Sequence, residues 1–140
     1  MDLNLRPARP EDRSICEKIF AAVQRLAYPR QPPAALVPGD FEAETREEDL
    51  WVAQSGTDIR GWVGFYCPAR FIHHLYVDPD YLRQGVGRAL LTLALGRCGG
   101  SAELKCDEAN RPAQAFYLAS GWRPVGWGWA PSGPWIRFGF

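Results

Sequence analysis

The chain predicts an α+β fold, a β-sheet with helices on its faces. Short runs that alternate apolar and polar residues, as strands do, are interleaved with runs whose apolar residues recur at helical spacing. Glycine, proline and aspartate punctuate the junctions between the two kinds of run. At 140 residues the chain suits one domain, residues 1–140, with a sizeable core. The runs follow the order βαβββαβαββ, with room for a second early helix.

Each element has a local reason. Leu3-Asn4-Leu5-Arg6 alternates and reads as the first strand. Pro10, Glu11 and Asp12 mark a helix start, because proline fits the first helical position and acids suit the positive end of the dipole. Ile15, Cys16, Ile19, Ala22, Val23 and Leu26 then form an apolar stripe at helical spacing, a face expected to pack on a sheet. Residues 28–39 hold four prolines and a glycine and read as an irregular loop. Six acids fall between Asp40 and Asp49, which suits a short helix around 40–48. Residues 50–54 and 59–67 form a hairpin about Gly56-Thr57-Asp58. A strand over 71–77, a helix over 86–97, a strand over 102–106 and a helix over 110–120 follow. The tail folds as a hairpin turning near Pro131-Ser132-Gly133-Pro134. No internal repeat or linker interrupts this order.

Sixteen basic residues balance sixteen acidic ones, for a formal net charge of +0. That removes the general electrostatic case for nucleic acid or an anionic membrane as partner. No apolar run reaches the ~18 residues a membrane span needs, and the first residues lack the apolar core of a signal peptide. The four cysteines form no C-x-x-C pair, so reduced thiols and a cytoplasmic setting are expected.

Gln84-Gly85-Val86-Gly87-Arg88-Ala89 stands where a loop becomes a helix. The first turn of a helix carries backbone N–H groups without internal partners, at the positive end of the peptide dipoles. Glycines let a phosphate approach those donors, and Arg83 and Arg88 add fixed charge on either side. A Rossmann fingerprint needs a third glycine where Leu90 stands, and a P-loop needs Gly-Lys-Ser/Thr where Gly87-Arg88-Ala89 stands. The pattern present, Q-x-x-G-x-A, resembles the pyrophosphate loop of the GNAT superfamily, the acetyl-CoA-dependent N-acetyltransferases. A second block, LKCDEANRPAQAFYLASGW from Leu104, resembles the later strand-helix unit of that family through Leu104, Asn110, Ala113, Phe116, Tyr117, Gly121 and Trp122. Asn110 is also a good N-cap, and Gly121 sits where a helix end favours a left-handed residue.

The resemblance implies a mixed, mostly antiparallel sheet of about six or seven strands with helices on both faces. It also implies acetyl-CoA as co-substrate and no metal. Backbone groups of Leu75, Tyr76 and Val77 would pair with the pantetheine arm, lying in a gap between two splayed strands. Arg83, Gln84, Gly85, Val86, Gly87, Arg88 and Ala89 would hold the pyrophosphate. Asn110, Ala113, Phe116 and Tyr117 would border the thioester, with Tyr117 protonating the departing sulfur.

For a base the chain offers His73 and His74, its two histidines. Strand alternation sends neighbours to opposite faces, which argues against a shared metal site. Counting from Val77, residues 75, 73 and 71 share one face, so His73 is expected to look toward the acyl group and His74 to pack under a helix. Cys106 reads as a packed strand residue rather than a nucleophile, since Lys105 points to the other face. The acids at 40–49 suit the rim of a site for a cationic amine. Trp127 and Trp129 share a face and suit an acceptor wall, a core cover or a homodimer contact alike. The acceptor is expected to be a small-molecule or peptide amine. The alternative is an acyl-CoA-binding module without catalysis, whose tryptophan-rich tail receives a partner.

Overall fold

The computed structural model of the protein describes residues 2–27 and 40–140. In chain order the elements are β1 (Asn4–Pro7), α1 (Arg13–Ala27), α2 (Asp40–Thr45), β2 (Asp49–Ser55), β3 (Asp58–Tyr66), β4 (Phe71–Val77), α3 (Val86–Arg97), β5 (Glu103–Asp107), α4 (Arg111–Ala119), β6 (Arg123–Ala130) and β7 (Gly133–Gly139). The loop expected over residues 28–39 lies outside the described residues. The α+β expectation holds. Among the described residues, seven strands form one sheet in the order β1-β2-β3-β4-β5-β7-β6, with β4 and β5 parallel and the other neighbours antiparallel.

Local chemistry accounts for several of these boundaries. Pro10–Asp12 forms a single 3-10 turn that leads into α1, as the proline and acids suggest. Asp12 is buried there and accepts hydrogen bonds from Arg6 Nη1 (2.6 Å), Arg6 Nη2 (3.1 Å) and the Arg9 backbone N–H (2.7 Å). The bonds from Arg6 hold its pKa below the ordinary carboxylate value. Asn110 caps α4 by accepting from the Ala113 N–H at 3.2 Å, and Gly121 leaves that helix at φ +92°.

Two apolar layers flank the sheet. On one side α3 and α4 cover Val63, Phe65, Ile72, Leu104 and Phe138. On the other, Cys16 and Ile19 of α1 and Phe41 of α2 pack with Val52 and Trp62. Gly61 lets α3 lie close on β3. A Cβ at that position would meet the Tyr76 carbonyl oxygen at 2.9 Å, Val86 Cγ1 at 2.9 Å and Leu90 Cδ1 at 3.1 Å. Because one of these neighbours is backbone, Gly61→Ala is expected to destabilise the fold by about 1–3 kcal/mol, read as an earlier urea midpoint.

Two irregularities shape the centre of the sheet. Strands β4 and β5 pair at only two positions, Phe71 with Glu103 and Ile72 with Leu104, and then part. In the β3–β4 ladder, Gly64 pairs with His74 while Phe65 pairs with Ile72, so His73 is an extra, bulged residue.

Candidate active site

The bulge resets the alternation on which the reading of the two histidines rested. Ile72, Leu75 and Val77 face the α3/α4 layer, whereas Tyr76 joins the α1 layer. His74 stacks on Tyr76 (5.9 Å between ring centroids) and lies 5.6 Å from the Trp62 ring. His73 turns to the same side as His74, not to the face of Leu75 and Val77. The expected shared face is therefore corrected, and a single inserted residue is the cause. His73 nevertheless stands at the first position beyond the last β4–β5 pair, at the apex of the splay.

The partner of His73 is Glu48, in the turn before β2. His73 Nδ1 contacts Glu48 Oε1, and His74 Nε2 lies 3.6 Å from Glu48 Oε2. The glutamate side chain is 4% exposed and that of His73 is 44% exposed. Burial, reinforced by Glu44, pushes the Glu48 carboxyl up to about 7. Burial and then Lys105 lower His73, while burial and then His73 bring His74 down to about 4. A carboxylate oxygen and an imidazole nitrogen can meet closely only with a proton between them. With Glu48 ionised, that proton is the Nδ1–H, which leaves the lone pair on Nε2 of the more exposed ring. Glu44, Glu47, Glu48, Tyr66, His73 and His74 help to line an open cleft of about 560 Å³.

Sequence reading had placed the acids of 40–49 at a rim and had not singled out Glu48. The signal was a run of six acids, and nothing in the run shows which one is buried. Gly64 carries a second trace of the site, since a Cβ there would lie 2.7 Å from Glu48 Oε2.

Across the splay, a glycine turn leads into α3. Gly85 is the N-cap at φ +83°, with no side-chain hydrogen bond, and a Cβ on it would meet nothing within 4 Å. Val86, Gly87 and Arg88 occupy the first turn, and Ala89 donates back to the Gly85 carbonyl at 3.0 Å. Arg83 is exposed at φ +62°. The Arg88 guanidinium donates to the Ala119 carbonyl at 3.1 Å, tying α3 to the end of α4. Arg60 of β3 donates to Gln84 Oε1 at 3.1 Å and lies over the Tyr81 ring at 4.4 Å. That arginine belongs to no sequence motif, and only the β3–β4 pairing brings it here.

Val77, Gly87 and Phe116 meet where α3 approaches α4, with the glycine's absent Cβ 3.4 Å from both neighbours. Leu75, Tyr76 and Val77 line the β4 edge of the splay by backbone, while the Tyr76 ring packs 5.2 Å from Phe20 on the far face. Ala113, Phe116 and Tyr117 of α4 pack against the core on the other wall. Tyr117 lies 5.6 Å from the Phe138 ring, and burial followed by Cys106 raises its pKa. Cys106 is buried, with its thiol pushed up to about 11, as suits a packed residue.

Trp127 and Trp129 do share a face. They pair with Ile136 and Pro134, so that face is the α4 side, opposite His73. Of the tryptophans in the C-terminal hairpin it is Trp135 that faces the His73 side, with Lys105 Nζ 4.4 Å from its ring. Among the described residues, no group of three His, Cys, Asp or Glu is placed to hold a metal ion. Nor is any described helix long and apolar enough to cross a membrane.

A family model described as acetyltransferase (GNAT) family matches residues 15–122. The chain belongs to this family, whose members are acetyltransferases. No match is found among curated protein sequences. The solution structure of apo YjaB from Escherichia coli superposes with a TM-score of 0.81 at 21% identity, covering 100% of this chain and 98% of that one. A GCN5-related N-acetyltransferase from Rhodopseudomonas palustris gives 0.82 at 19% identity over 99% and 95%. The PaiA N-acetyltransferase from Thermoplasma acidophilum, solved with coenzyme A, gives 0.80 at 14% identity over 99% and 98%. Likeness at these identities establishes the fold alone.

Proposed function

We propose that this chain transfers the acetyl group of acetyl-CoA to a primary amine of a small molecule or peptide, by direct attack within a ternary complex. The observation that carries the proposal is a splay whose apex holds the His73–Glu48 pair and whose mouth opens beside the uncapped turn of α3. The N–H groups of that turn, with Gly85 open in front of them, fit a pyrophosphate. The β4 edge from Leu75 to Val77 fits the amides of the pantetheine arm, as an added strand would. The thioester supplies the activated carbonyl.

Glu48 fixes the His73 tautomer, and Nε2 takes the proton of the attacking amine. The C–N bond forms as the C–S bond breaks, and the Tyr117 hydroxyl returns a proton to the thiolate. Its raised pKa keeps that proton in place at neutral pH. Carboxylates at 44, 47 and 48 attract a cationic acceptor toward the imidazole.

Calorimetric titration with coenzyme A, followed by an amine panel read through released thiol, tests the proposal. Gly85→Asp places a carboxylate in open space at a tolerable left-handed position, so the fold should survive. Its affinity for coenzyme A should fall at least about tenfold through charge repulsion at the phosphates. Unchanged affinity would move the cofactor elsewhere. Binding with no turnover across the panel would favour the non-catalytic module.

A further inference from the structure

We propose that Cys67 and Cys98 form a reversible disulfide within the native fold, making them an oxidation site for hydroperoxides. Cys67 opens the 3-10 turn Cys67–Ala69 after β3, and Cys98 caps the C-terminus of α3. Thirty-one positions apart in sequence, their sulfurs lie 3.8 Å apart, at van der Waals contact. Closing to a bond asks for side-chain rotation at two element ends, where no interior strand or helix turn has to open. Cys98 ends its helix before Gly99 and Gly100, both at positive φ.

The other thiols are differently placed. Cys67 alone among the four is not buried, so a hydroperoxide meets it first. Cys16 sits in the α1 layer with its thiol pushed up to about 12, and Cys106 lies on β5. The Cys67 thiolate attacks the peroxide oxygen, giving a sulfenic acid and one water or alcohol. The Cys98 sulfur then attacks the Cys67 sulfur and expels a second water. Two thiols thus lose two protons and two electrons, and the peroxide is reduced. Burial and Cys67 hold the Cys98 thiol up at about 11, which slows the second step. Contact between the sulfurs offsets this by making the attack intramolecular.

The bond would close the segment that contains β4, the phosphate-binding turn and α3. It would also spare Cys67 from irreversible sulfinic oxidation.

The test uses the native, reduced full chain and a small excess of hydrogen peroxide, followed by unfolding and alkylation. Alkylatable thiols should fall from four to two, and the intact chain should lose two hydrogens. A non-reduced tryptic digest should link peptides 61–70 and 98–105, and dithiothreitol should separate them. With Cys98→Ser, Cys67 should instead be trapped by dimedone as sulfenic acid. Two outcomes would overturn the proposal. One is a Cys67 sulfinate beside a Cys98 that still alkylates; the other is a chain-to-chain dimer through Cys67 without the internal link.

Discussion

Replacing Glu48 by glutamine is expected to slow acetyl transfer by about 10²- to 10⁴-fold and, at pH 8, to raise the melting temperature. The rate effect follows from the tautomer. A carboxylate can only accept from His73 Nδ1, whereas an amide can also donate to it and leave the Nε2 lone pair missing. The pH profile separates this role from packing. The native carboxyl titrates at about 7, so kcat/KM should climb as pH rises through that value. In Glu48→Gln that limb should vanish.

The stability effect has the opposite sign. Glu48 has a folded pKa raised above its ordinary value of 4.5, so its contribution is most favourable below 4.5 and is lost as pH rises through about 7. At pH 8 a neutral amide avoids the buried charge, a gain of about 1–3 kcal/mol or roughly 3–10 °C in melting temperature. The gain should disappear near pH 4.5. Thermal melts at both pH values, with initial rates across pH 6–9, measure both effects. Wild-type rates with an unchanged profile would make Glu48 a packing residue.

Tyr117→Phe should slow the chemical step by a similar ~10²- to 10⁴-fold while leaving coenzyme A affinity near wild type. The ring keeps its contacts with Phe116, Trp122 and Phe138, so little volume or apolar area changes. Single-turnover thiol release, where chemistry is observed directly, provides the readout. Activity within a few-fold of wild type would leave protonation of the thiolate to water.

Elements whose ends carry their own punctuation were legible in the sequence. The strand over 71–77 and the helix over 86–97 were read with the bounds they have, because Pro79, Gly85, Gly99 and Gly100 mark their flanks. The glycine turn into α3 and the Asn110 cap were legible for the same reason, each being a local interaction. What escaped depends on pairing between distant segments. The bulge at His73 breaks a period that sequence reading has to assume unbroken, and it turns Phe71, Ile72 and His73 to the faces opposite those expected. Glu48 emerges from six acids only after β2 and β4 are brought together, and Arg60 reaches Gln84 only through the β3 ladder. The bond from Arg88 to the Ala119 carbonyl emerges only from the packing of α3 on α4.

The unpaired residue in β4 also sets how this fold tolerates length changes. Deleting residue 73 would restore a continuous ladder between β3 and β4, which is the more regular sheet. The same deletion would leave one imidazole where two adjacent ones now share a side. Chains of this architecture that differ by one residue here keep their core packing and lose the proposed proton acceptor. At this position an alignment gap is a change of chemistry, whereas in the turn at 56–57 it is only a change of loop.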